Sequence, residues 1–198
     1  KKKIEAKHLS AKVAGRIYVE KLGIKLPDLY WSGTEISKIP PLEDLPKKVV
    51  IKPDRGWSAK NVWCLSDMVN ILDNKTYTIE EIKKQLMEDD FIQTQKPIFM
   101  AEEFLTPEKE MENPIPRDYK FHCFGSEIAM LVVVDRVSIK ETHLNTYHCF
   151  DDCFNPIKQV VFKNKPVPEN LLELPECFDE MVEAVKKIGS TLGIYMRI

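Results

Sequence analysis

Lys52 is the residue of this sequence best placed to do chemistry on an anion. It ends the β-branched run Val49-Val50-Ile51 and enters Pro53-Asp54-Arg55-Gly56-Trp57-Ser58-Ala59, a polar loop with one glycine. A lysine held at the end of a buried strand is a fixed point charge, and the open amides around Gly56, Ser58 and Ala59 can turn toward an anion. Nucleotide phosphates suit that pairing. So does an ordinary surface hairpin, because the loop lacks the glycine-rich spacing that closes on Gly-Lys-Ser/Thr.

Other candidate groups are spread along the chain. Lys12 and Arg16 are four apart on a predicted helix and share one side of it, where solvated charge is the plain alternative. Glu102 and Glu103 follow the apolar run Ile98 to Ala101, and alternation sends neighbouring carboxylates to opposite faces of a strand. Such a strand serves an adenine through its backbone edge, with Phe104 and Leu105 for the ring face. Asp118, Lys120 and His122 alternate onto one face of a later strand, and Arg136 follows the apolar run Ile128 to Val134, well placed for a phosphate. His143, His148, Cys149 and Cys153 cluster in sequence, but their spacing matches no closed zinc site, and no metal-ligating residue is assigned.

The elements that must position these groups follow from periodicity. Ser10 to Leu22 reads as a helix with Ser10 as N-cap and Gly23 as its stop. Val49 to Pro53 and Asn61 to Leu65 read as a hairpin, Ser66 as the start of a short helix, and Thr78-Ile79-Glu80-Glu81 as the capping box of a helix to Glu88. Arg117 to Phe124 and Glu127 to Val137 make a hairpin around Gly125-Ser126; its second strand is apolar enough to be buried on both faces. Thr142 to Phe150 is a further strand, Pro175 to Leu192 an amphipathic helix, and Ile194 to Ile198 the start of a last strand.

Bulk properties narrow the class. The 198 residues can bury a core, and 30% charged with 43% apolar is a soluble globular balance. A formal charge of -2 gives no electrostatic case for nucleic acid, and no apolar run reaches a membrane span. The start at Lys1-Lys2-Lys3 leads into no apolar leader core, so a cytoplasmic setting is expected; five cysteines are expected as reduced thiols. The absence of an initial methionine and the stop at Ile198 within a strand suggest a fragment.

In order and spacing these parts resemble an ATP-grasp ligase, most closely the TupA-like branch associated with teichuronopeptide and other polysaccharide biosynthesis. The similarity runs from about Lys12 to Ile198. It rests on Lys12-Val13-Ala14-Gly15-Arg16-Ile17-Tyr18-Val19, on Val50-Ile51-Lys52 with Gly56, and on Glu102-Glu103-Phe104-Leu105. Its most specific piece is Pro116-Arg117-Asp118-Tyr119-Lys120-Phe121, followed by Asp135-Arg136, the turn Phe150-Asp151-Asp152 to Asn155-Pro156, and Arg197.

The resemblance implies an α+β ATP-grasp fold in which two lobes with antiparallel sheets clasp a nucleotide, cut short at the C-terminal end. The implied divisions are an N-terminal helix and connector over 1–48, a lid over 49–105 and an incomplete second lobe over 106–198. It implies that Lys12 and Lys52 contact ATP phosphates under a lid of Gly56, Trp57, Ser58 and Ala59, with adenine at Glu102, Glu103, Phe104 and Leu105. Asp118, Lys120 and Arg136 would line the phosphate and substrate face, and Arg197 would stabilise an acyl-phosphate. Magnesium is implied with ATP, through carboxylates that the family carries directly after the terminal Arg-Ile. The implied activity joins a small-molecule or glycan carboxylate to an amine through an acyl-phosphate, in cell-surface polysaccharide or peptide modification. A non-catalytic nucleotide-binding module and a sugar phosphotransferase are the alternatives.

Overall fold

The structure is a computed structural model that describes residues 8–56, 59–107, 115–135, 142–159, 161–162 and 167–198. The chain divides into two compact units: His8–Glu20 with Lys25–Thr106, and Lys21–Ile24 with Pro107–Ile198.

The unit containing Lys52 holds helix α1 (Lys12–Lys21) and strands β1 (Leu29–Gly33), β2 (Lys48–Pro53) and β3 (Trp63–Ser66). After these come β4 (Val69–Asn70), β5 (Lys75–Thr76), helices α2 (Ile79–Glu88) and α3 (Asp90–Gln95), and β6 (Phe99–Glu103). The strands form one antiparallel sheet in the order β1-β6-β2-β3-β4-β5. Alternation along β2 sends Val49 and Ile51 into a core with Trp63, Leu65, Ile82, Leu86 and Phe99. Val50 and Lys52 are thereby committed to the opposite face.

Helix α2 starts where its capping box predicts. The Thr78 hydroxyl accepts the Glu81 amide at 3.3 Å, and the Glu81 carboxylate accepts the Thr78 amide at 2.8 Å. Two local readings are corrected. Ser66 does not open a helix: it ends β3, and the chain meanders through β4 and β5 with Asp67, Met68 and Asn74 all at positive φ. Asn70 replaces the missing ladder, its Oδ1 accepting the amides of Cys64 and Leu72. Helix α1 begins at Lys12 and not beside Ser10, because the first helical amide, that of Lys12, donates to the Asp54 carbonyl at 3.0 Å.

The other unit holds β7 (Asp118–Phe124), β8 (Glu127–Asp135), β9 (Thr146–Phe150), helix α4 (Phe178–Leu192) and β10 (Tyr195–Arg197). They form an antiparallel sheet in the order β10-β7-β8-β9. The second half of β8 is buried on both faces, Leu131 and Val133 joining the core under α4 and Val132 and Val134 a second cluster with Cys149, whereas Ile128, Ala129 and Met130 of the same apolar run are not buried. β9 is shorter than the predicted strand because Thr142–Leu144 is a 3-10 turn.

Helix α4 approaches the β7–β8 turn so closely that a Cβ on Gly189 would lie 1.9 Å from the Gly125 carbonyl oxygen. Only glycine fits there. The five cysteines are free, with Cys123 and Cys149 buried. Among the described residues, no helix is long and apolar enough to cross a membrane.

Candidate functional site

The Lys52 side of its sheet carries a compact ionic cluster. Lys52 pairs in register with Met100 and Val50 with Glu102, so Lys52 and Glu102 lie diagonally on one face. Their side chains form a salt bridge, with only 19% and 12% of each exposed. Arg16 adds its guanidinium to the other carboxylate oxygen of Glu102 at 3.6 Å and donates to the Pro27 carbonyl. A glutamate is therefore shared by two cations from different elements.

Lys12 completes the group. Its ammonium reaches the Asp54 carbonyl at 3.3 Å, and Asp54 itself is pinned at the end of β2 by accepting the Ile98 amide at 3.0 Å. Burial, and next the charge of Lys52, hold the Lys12 ammonium below the ordinary lysine pKa. Lys12 and Lys52 thus feel each other across a small space. Cys64, across β2 on the same face, has its thiol pushed up to about 11 by burial, so it is no nucleophile there.

Glu103 points away from this cluster. Its carboxylate accepts the Asp28 amide at 3.1 Å and helps anchor the start of β1, as alternation from Glu102 requires. The strand ends at Glu103, so Phe104 and Leu105 leave the ladder, Leu105 half exposed. In the loop after β2, Gly56 takes φ 128 and Ala59 φ 55. A cleft of about 50 Å³ lined by Pro53, Arg55, Gly56, Lys60, Asn61 and Phe91 opens beside it. Trp57 and Ser58 lie outside the described residues.

In the other unit, Asp118 and Lys120 form an ion pair at 2.6 Å, and Arg197 stands beside His122 across the β7–β10 ladder. Burial and the Arg197 charge lower the His122 pKa. Arg136, the remaining candidate, lies outside the described residues. Arg16 and Asp54 belong to this cluster without being assigned to it from the sequence. The four-residue spacing from Lys12 was a usable signal for Arg16, whereas the pairing with Glu102 crosses most of the unit in sequence.

Two α+β units in one chain, each built on an antiparallel sheet, match the fold of ATP-grasp ligases. The family model for TupA-like ATP-grasp proteins matches residues 2–198, and the chain belongs to that family. The crystal structure of D-alanine–D-alanine ligase from Bacillus anthracis complexed with ATP is similar at a TM-score of 0.53 and 14% identity, over 95% of this chain and 48% of that one. The ATP-grasp ligase PsnB, complexed with minimal precursor, Mg and ADP, matches at a TM-score of 0.40 and 12% identity, over 98% of this chain and 50% of that one. The chain spans about half the length of these solved structures. No curated protein matches it.

The resemblance to ATP-grasp ligases implies magnesium with the nucleotide. Among the described residues, the one cluster of three ligand-type side chains is Asp151, Asp152 and Cys153. Asp151 is already spent on a turn, accepting the amides of Cys153 and Asn155 and the Asn155 side chain. A thiol and one open carboxylate do not make the oxygen cage that magnesium needs.

Proposed function

We propose that this chain binds ATP at the Lys12 and Lys52 face and contributes that site to an ATP-dependent carboxylate–amine ligase. The carrying observation is that Lys52 and Arg16 share one glutamate, Glu102, while the part-buried Lys12 ammonium stands close enough to Lys52 to feel its charge, so that three cations face the two carboxylates of Glu102 and Asp54. A triphosphate supplies the anion that such a cluster lacks. The adenine sits against the strand end at Glu102, Glu103, Phe104 and Leu105, with the backbone of Phe104 and Leu105, which leave the ladder, for its edge and Leu105 for its face, since Glu102 and Glu103 are paired on both sides within the sheet. The loop of Gly56, Trp57, Ser58 and Ala59 closes over the phosphates.

In this reading a substrate carboxylate attacks the γ-phosphorus, ADP leaves, and an amine then displaces phosphate from the acyl-phosphate. The chain's part is electrostatic: lysines hold the phosphates, while Asp118, Lys120, Arg136 and Arg197 serve the acceptor face. No side-chain nucleophile is required. Magnesium is proposed as the nucleotide's counter-ion; the described residues form no ligand set for it. Family membership supports a glycan or peptide carboxylate as acceptor, in cell-surface polysaccharide or peptide modification, in the cytoplasm.

Calorimetric titration with ATP tests the site. The parent chain binds, and Lys52→Met weakens binding by roughly ten- to a hundredfold, the worth of one or two charged contacts. Equal affinity in the two proteins overturns the assignment.

A further inference from the structure

Alternation places Lys120, His122 and Phe124 on one face of β7, and pairing sets Tyr195 beside Phe124 and Arg197 beside His122 on that same face. The neighbouring Ile198 turns the other way and packs against the α4 core. The two aromatic rings do not pack inward. Phe124 is 60% exposed and Tyr195 52%, with centroids 5.1 Å apart.

Tyr195 is nonetheless fixed, because its hydroxyl is hydrogen-bonded to His122 Nδ1 at 2.8 Å. The cations on this face differ in availability. Lys120 is neutralised by Asp118, whereas the Arg197 guanidinium makes no ion pair or side-chain hydrogen bond among the described residues. Tyr195 and Arg197 are two residues apart on one strand, so they project side by side at about 7 Å. That separation accommodates a six-membered ring lying on the aromatic pair while its carboxylate meets the guanidinium.

We propose that Phe124, Tyr195 and Arg197 form a recognition shelf for an organic carboxylate that carries a ring, with His122 holding the tyrosine in place. It rests on the ligase reading in one respect, that this carboxylate is the acceptor. Because the lowered pKa leaves His122 neutral near pH 7, the formal positive charge here belongs to Arg197.

The test is NMR titration of the full chain with benzoate and cyclohexanecarboxylate, against acetate and cyclohexanemethanol as controls. The shelf predicts that both ring carboxylates shift the Phe124, Tyr195 and Arg197 side-chain signals and bind about tenfold or more tighter than either control. Arg197→Gln should remove the preference over the alcohol, and Phe124→Ala the preference over acetate. Tyr195→Phe, which keeps the ring and frees His122, should weaken binding less than Phe124→Ala. Ring carboxylates that leave these signals unmoved, or that bind no better than acetate, overturn the shelf. ATP titration of the same sample separates the two readings. Intact ATP binding with no ring-carboxylate response sinks the shelf alone; a ring-carboxylate response without ATP binding sinks the nucleotide assignment alone.

Discussion

Lys52 and Glu102 are ion-paired on one face of the β2–β6 ladder, two residues apart in register, and Glu102 simultaneously receives Arg16 from α1. The glutamate therefore makes to Lys52 and Arg16 the kind of contact that we assign to a phosphate. Removing its charge tests that equivalence. Glu102→Gln should lower stability by about 1–3 kcal/mol, since it leaves Lys12, Arg16 and Lys52 mutually repelling in a poorly solvated space. Thermal melts should show sulfate or ATP raising the midpoint more for the variant than for the parent.

Lys12 gives a pH signature. Its folded pKa lies below the ordinary 10.5, from burial first and Lys52 second. Between the folded and unfolded values the unfolded chain holds more protons, so this group's contribution makes stability rise with pH across that window. A bound triphosphate raises the Lys12 pKa again. ATP binding should then take up protons just above the free-state value, and affinity should fall as pH rises through it. Calorimetry in buffers of different ionisation enthalpy reads the proton uptake; Lys12→Met should abolish it.

Gly189→Ala sets two effects against each other. Alanine is the better helix former by about 1 kcal/mol. Its Cβ, however, would meet the Gly125 carbonyl at 1.9 Å, and forcing α4 off the β7–β8 turn costs about 2–4 kcal/mol. The overlap wins. Chemical denaturation should show a net loss of stability, and a gain would mean that α4 does not seat here.

Thiol labelling reports the buried faces independently. Alkylation of the native chain at pH 8 followed by mass spectrometry should modify exposed Cys153 first. Cys64, with its pKa pushed up to about 11, and buried Cys123 and Cys149 should lag far behind.

Much of this architecture was legible because it is written in short-range pattern. The alternation of Val49, Val50, Ile51 and Lys52 fixed which residue leaves the core, and the same rule separated Glu102 from Glu103. The capping box at Thr78 and the two-faced burial of the second half of β8 follow from local sequence for the same reason. The helix expected at Ser66 is absent because β4 and β5 are two residues each, too short for any period, and are shaped by positive φ at non-glycine residues and by the Asn70 side chain. Helix α3 went unseen: it is six residues long, capped by Asp89, and stopped by Lys96 at φ 44 instead of a glycine. The Arg16–Glu102 contact is long-range, and no spacing rule reaches it.

The central claim is that Lys12 and Lys52 serve one anion. A double-mutant cycle on ATP affinity, with Lys12→Met, Lys52→Met and the pair, tests it most directly. Each single change should weaken binding about tenfold or more, and the double variant should lose less than the product of the two, because both amines act on the same phosphates. If either lysine can be replaced without loss, or the two losses multiply independently, the shared site does not exist.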